Sequence, residues 1–203
     1  MAKYGKLNIQ LDIGTEQADN CHGRHSKDMI VLHETVSPDY PGLKDIKSIS
    51  AYLDEKDYGI HCITDADGNV AVAKGQMNCV FYHTASNGSK GNGLVNSRGI
   101  GIELVSRVML ESKVNIIRFR KWRARKRQIN RTARLIAVIA KREKIPIRWS
   151  NGDRPGVTTH WSVTHTFGVP GGHVDCWPKH MGGYFPALEI IFKARYWYGL
   201  RYG

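Results

Sequence analysis

Apolar and polar positions switch between two periods along the chain, and the switches mark its elements. Met29-Ile30-Val31-Leu32 is an unbroken apolar run, which predicts a buried central strand stopping at His33-Glu34-Thr35. The breakers in Ser37-Pro38-Asp39-Tyr40-Pro41-Gly42 predict a loop. From Asp45 to Tyr52 the period becomes helical, with Ile46, Ile49 and Tyr52 expected on one stripe. Two short runs, Ile60 to Thr64 and Asn69 to Ala73, flank the turn Asp65-Ala66-Asp67-Gly68 and predict a hairpin. Gly, Ser and Asn between Ser86 and Gly93 predict a surface loop. Gly99 to Val105 alternates strictly and predicts a second long strand. Between Lys121 and Lys144, Trp122, Ile129, Ala133, Ile136, Ala137 and Ala140 recur at helical steps, and Pro146 sets the end. Val157-Thr158-Thr159-His160 predicts a last short strand, and Phe185 to Tyr196 a closing helix. Residues 1–27 are polar and irregular and are expected to form an extended lead-in, leaving 28–203 as one domain. Strands alternating with helices predict a mixed α/β fold.

Composition adds a bound and a charge. The chain has 203 residues, 41% of them hydrophobic and 24% charged, which fits a globular domain able to bury a core. No apolar run approaches the ~20 residues of a membrane span, and Met1-Ala2-Lys3-Tyr4-Gly5-Lys6 leads into no signal-peptide core. Lys and Arg number 30 against 18 Asp and Glu, a net charge of +12. The excess is confined to residues 112–142, which hold twelve basic residues and no acid. Such a block suits an anionic partner: nucleic acid, a membrane surface or a cell-wall polymer. Cys21, Cys62, Cys79 and Cys176 form no CxxC pair, so mostly reduced thiols and no structural zinc ribbon are expected.

Candidate chemistry gathers at the ends of elements. His33 follows a buried apolar strand, and His160 ends a β-like run. Asp175 and Cys176 sit in a loop bounded by Pro170-Gly171-Gly172 and Pro178. Two imidazoles with a carboxylate or thiolate, and a fourth position left to water, are the composition of a catalytic zinc site. On the alternating strand, Gly99, Gly101 and Glu103 share one face, so a carboxylate stands beside two missing side chains. That arrangement leaves room for a ligand and a water, or marks a bulge under a solvent-facing Glu.

Six segments together resemble the type 2 N-acetylmuramoyl-L-alanine amidases, the family of T7-lysozyme-like endolysins and peptidoglycan recognition proteins. Ile30-Val31-Leu32-His33-Glu34-Thr35 resembles the first zinc motif. Tyr58-Gly59-Ile60-His61-Cys62-Ile63 with Asp67-Gly68 is similar to the family hairpin, and Tyr82-His83-Thr84-Ala85 to its "W-H-A-G" stretch. Asn96-Ser97-Arg98-Gly99-Ile100-Gly101-Ile102-Glu103 resembles "N…S-I-G-I-E", and Gly156-Val157-Thr158-Thr159-His160-Trp161-Ser162-Val163 the second-His motif. Gly172-His173-Val174-Asp175 resembles the closing "K/H-x-D/C-P-G" motif, with the His that actinobacteriophage lysins often show there. The match runs from about residue 28 to 190.

The resemblance implies a central mixed β-sheet flanked by helices and a Zn2+ held by His33, His160 and Asp175. It implies Glu103 and His173 as catalytic residues and His83 as a substrate contact. His165 stands beside His160 as an alternative ligand, and Cys176 beside Asp175. His160 is preferred because it ends a β-like run and is followed by the matching Trp161-Ser162-Val163. Asp175 is preferred because it keeps His173 two positions ahead, where the family carries its cation. The implied reaction is hydrolysis of the amide between N-acetylmuramic acid and L-alanine in peptidoglycan. The expectation is a monomeric phage or prophage endolysin, made in the host cytoplasm without a signal peptide and released by a holin. Residues 113–142 are expected to hold anionic wall polymers. Three other readings are a non-catalytic peptidoglycan-binding module, a nucleic-acid-binding protein and a partner-regulated phage lysis component. The nucleic-acid reading rests on the basic block alone and lacks a helix-turn-helix, finger or RNP pattern.

Overall fold

A computed structural model describes residues 7–36, 44–84, 92–106, 126–168, 175–183 and 185–203. Among the described residues, six strands form one sheet: β1 (Leu11–Asp12), β2 (Met29–Val36), β3 (Cys62–Thr64), β4 (Val70–Val72), β5 (Gly99–Ser106) and β6 (Gly156–Thr159). Their order across the sheet is β1-β4-β3-β5-β2-β6. Only β3 and β4, joined by the expected tight turn, run antiparallel. The other pairings are parallel, so the sheet is mixed. The helices are α1 (Lys44–Glu55), α2 (Asn92–Arg98), α3 (Lys126–Glu143), α4 (His160–Phe167) and α5 (Ala187–Tyr202).

One face of the sheet carries Ile30 and Leu32 of β2 with Ile100, Ile102 and Leu104 of β5. They pack with Ala133, Ile136 and Ala140 of α3 and Ile190, Ile191 and Ala194 of α5 in the largest core. Gln128 of α3 reaches under this layer and donates to the carbonyls of Thr64 (3.0 Å) and Val105 (2.8 Å). On the opposite face, Met29 and Val31 pack with Val95 of α2 and Val163 of α4. A third cluster places Ile46 and Ile49 of α1 against Ile60, Ile63 and Phe81.

Several expectations change. The strand does not stop at His33 but continues to Val36 beside β5, whereas β6 pairs only as far as Leu32. Tyr52 is 57% exposed, and Leu53 packs in its place. The helical angle explains it: the third and seventh positions after Ile46 share its face, and the sixth does not. The expected lead-in contributes β1 and the fully buried Ile13. Cys21 and Cys79 form a disulfide, so the expectation of mostly reduced cysteines is corrected; Cys62 and Cys176 are free and buried. Asn92 to Arg98 forms a helix, whose first two residues fall within the loop expected to end at Gly93. His160 opens α4 instead of ending a strand; the Thr159 side chain caps that helix by accepting from the Ser162 N–H. The closing helix runs on to Tyr202. Trp122 and basic residues 113–125 lie outside the described residues, as does most of the loop expected at 86–93.

Candidate metal centre

The register of the sheet assembles the site. His33 and Glu103 are direct neighbours on parallel strands, so their side chains leave the same face of the sheet. Because β6 ends opposite Leu32 and its chain turns at once into α4, His160 stands beside His33 at that step. The two rings lie 4.9 Å apart, centroid to centroid. Asp175 returns to the same point: its backbone carbonyl accepts from the Trp161 N–H (3.1 Å) and its Oδ2 from the Glu34 N–H (3.4 Å).

Nδ1 of His160 lies 3.0 Å from Asp175 Oδ1, and Nδ1 of His33 lies 3.7 Å from Oδ2. One donor atom from each of His33, His160 and Asp175 falls within 4.8 Å of the others. Both imidazoles are buried and the carboxylate is half-buried. Two imidazole nitrogens and one carboxylate oxygen, with no fourth protein donor in the group among the described residues, match the donor set of a catalytic zinc site. His165 is exposed and stacks on Trp161 at 3.8 Å, outside the cluster. Cys176 turns into the apolar core with a left-handed backbone (φ 60°), and burial pushes its thiol well above its ordinary range.

A second layer of histidines lies behind the cluster. His33 Nε2 is 3.0 Å from His83 Nδ1. Because Nδ1 of His33 is the nitrogen turned toward Asp175, a metal held there would leave Nε2 as the N–H that donates to His83 Nδ1. The His83 ring covers the glycines of β5. A Cβ on Gly99 would meet His83 Cε1 at 3.2 Å; one on Gly101 would meet Ile60 Cδ1 at 2.5 Å and His83 Cγ at 3.1 Å. The missing side chains therefore make room for His83 and Ile60, a correction to the ligand space expected there. Asn96 pins this segment, its Oδ1 accepting from the His83 and Thr84 N–H groups and from the Thr84 hydroxyl.

His61 completes the layer. Its Nδ1 accepts from the Gly101 N–H (3.0 Å), and its Nε2 donates to the Cys79 carbonyl (3.1 Å). Both partners have fixed roles, so the ring is neutral, and burial together with the nearby Lys27 charge holds its pKa well below the usual range. Lys27 Nζ donates to the carbonyls of Cys79 (2.6 Å) and Ser97 (2.9 Å); burial lowers its pKa to about 8, with Glu143 opposing. Glu103 is 7% exposed, and burial, then Asp175 and Glu34, raise its pKa well above the glutamate range. His173 lies outside the described residues. Sequence reasoning assigned no role to Lys27 and no contacts to Asn96. A lone Lys before a strand and an Asn within a motif carry no local sign of what they bond.

A protein-family model described as N-acetylmuramoyl-L-alanine amidase matches residues 23–177. No protein of curated function matches the chain in sequence. Among solved structures, the chain is similar in fold to an endolysin N-acetylmuramoyl-L-alanine amidase, LysCS, from Clostridium intestinale. The identity is 18%, the coverage 84% of this chain and 85% of that one, and the TM-score 0.51. It is similar to the hydrolase AmiA of Staphylococcus aureus at 16% identity, with 88% and 80% coverage and a TM-score of 0.54. The catalytic domain of PlyG aligns at 15% identity, with 94% of each chain covered and a TM-score of 0.55.

Proposed function

The chain belongs to the N-acetylmuramoyl-L-alanine amidase family, and from that premise we propose that it is a zinc-dependent peptidoglycan hydrolase. The proposed reaction cleaves the amide between the lactyl group of N-acetylmuramic acid and L-alanine. The observation that carries the reading is the convergence of His33, His160 and Asp175 beside a buried Glu103 on one face of the sheet. His33, His160 and Asp175 would hold the zinc. When bound, the metal supplies a Lewis acid that polarises the scissile carbonyl and lowers the pKa of water toward ~7.

The remaining work falls to side chains. Glu103, in its carboxylate form, takes the proton of the attacking water and passes it to the departing amine of L-alanine. His173 keeps the role that the family resemblance gives it, donating to the oxyanion that forms at the carbonyl. His83 holds the His33 ring through the 3.0 Å bond, which serves orientation in addition to the substrate contact expected from sequence. The endolysin assignment, with synthesis in a host cytoplasm and holin-type release, rests on the family resemblance alone. Retention on anionic wall polymers is assigned to residues 113–142.

The test uses insoluble peptidoglycan, with and without a chelator, and measures newly exposed L-alanine amino termini. The expected result is release that a chelator abolishes and zinc restores. Tight binding to the wall with zinc present and no release would identify a recognition module. Absence of both release and bound metal would remove the ligand assignment.

A further inference from the structure

Helix α5 departs from the rule that a helix packed on a sheet turns a polar side to water. Its inner face, Ala187, Ile190, Ile191 and Ala194, is buried. Its outer face carries Phe192, Tyr196 and Leu200, exposed by 64%, 63% and 63%. Spaced four residues apart, these three side chains form one ridge along the helix. Contiguous apolar exposure of this kind, unlike scattered exposed residues, marks a surface meant to be covered.

Cations frame the ridge. Lys193, Arg195 and Arg201 lie on the same helix, whose one acid, Glu189, is paired with Lys193 at 3.9 Å. The guanidinium of Arg195 lies 5.9 Å from the Phe192 ring. Two basic side chains of α3 reach α5, with half-buried Arg134 stacked 3.8 Å over Trp197 and exposed Lys141 5.6 Å from Tyr202.

We propose that the outer face of α5 docks on an anionic phospholipid bilayer, with the aromatic ridge in the headgroup region and the cations beside it on lipid phosphates. Interfacial helices combine these same two elements, an apolar face of aromatic and Leu side chains and flanking Lys and Arg. A soluble polyanion would satisfy the cations and leave Phe192 and Leu200 in water. A second copy of the chain would cover the ridge but bring two sets of Arg195 and Arg201 together. Among the described residues no helix is long and apolar enough to cross a membrane, so the attachment is peripheral. The candidate metal centre lies on the other face of the sheet, with His33 beside Val31 rather than Leu32, and docking leaves it uncovered.

The test is co-sedimentation of the full chain with vesicles of phosphatidylcholine and phosphatidylglycerol at 3:1, and with phosphatidylcholine alone. Binding to the anionic vesicles is expected. The triple variant F192S/Y196S/L200S is expected to lower that binding at least about tenfold at an unchanged unfolding midpoint, since all three side chains are exposed. Phe192→Trp provides a reading on a chain close to the natural one: relative to the unsubstituted chain, whose five tryptophans set the background, the added emission shifts to the blue and is quenched by brominated lipid if the ridge inserts. Binding that persists undiminished in the triple variant, without a blue shift, would reduce the surface to a charge patch and overturn the proposal. So would the absence of vesicle binding, or a dimer in solution that the triple variant dissociates. None of these readings depends on amidase activity.

Discussion

The two faces of β2 and β5 are built from alternate residues of the same strands, yet they are held together by different forces. Toward α3 and α5 stand Ile30, Leu32, Ile100, Ile102 and Leu104, all fully buried among hydrocarbon. This face is held by non-directional burial, and an apolar side chain of similar size serves nearly as well. Toward α2 and α4 stand Val31, His33 and Glu103, with the His83 ring filling the space over Gly99 and Gly101. Here polar groups are taken out of water, and each requires a partner at a defined atom. The comparison teaches that a one-residue step along a strand separates a position tolerant of substitution from one whose individual nitrogen atoms matter.

The sharpest test of this contrast is Glu103→Gln. It keeps the shape and removes the base, so release of L-alanine amino termini is expected to fall about 10²–10⁴-fold. Stability is expected to hold or rise, because a buried charge is no longer required. Equal rates in the two proteins would show that the polar face is not the catalytic one. The opposite face should respond in the opposite way. Ile102→Ala is expected to cost about 2–5 kcal/mol of unfolding free energy in a urea titration, while the activity of the molecules that remain folded changes little.

A third substitution separates orientation from chemistry. His83→Ala is expected to weaken zinc binding about 10–100-fold, measured by competition with a chromophoric chelator. His83→Asn, whose side-chain oxygen can accept the His33 Nε2–H, should recover part of that loss. A smaller effect comes from Lys27, the buried cation behind the layer. Its folded pKa of about 8 lies below the usual 10.5, so the folded chain releases this proton first. Stability should therefore rise with pH between about 8 and 10.5 relative to Lys27→Met, and run parallel to it below 8. Parallel curves across the whole range would mean that Lys27 carries no desolvation penalty.

Much of the apolar face was legible in the sequence. The run Met29 to Leu32, the alternation from Gly99 and the helical repeat from Ile129 to Ala140 each name an element whose inward residues are buried as expected. Alternation also placed Gly99, Gly101 and Glu103 on one face. The polar face was less legible. Nothing local shows that His83 fills the gap above the glycines, or that Cys79 both closes a disulfide with Cys21 and offers its carbonyl to His61 and Lys27. The separation of 58 residues between Cys21 and Cys79 hides their pairing. Helix α4 was missed because Val163, Thr164 and Thr166 are weak helix formers and its Thr159 cap follows directly on a strand.

By itself, the sequence determined the periods, and therefore which side chains leave each strand and helix on the same side. It also carried the residue types of the candidate metal centre in a recognisable order. Only the tertiary structure decided that β6 ends one residue short of His33, that His160 rather than His165 faces His33, and that Asp175 returns between them. Periodicity is set by the backbone geometry of neighbouring residues, so it can be read locally. Convergence depends on strand register, on where a partner strand stops, and on the turn that follows, which are settled by packing between segments more than a hundred residues apart.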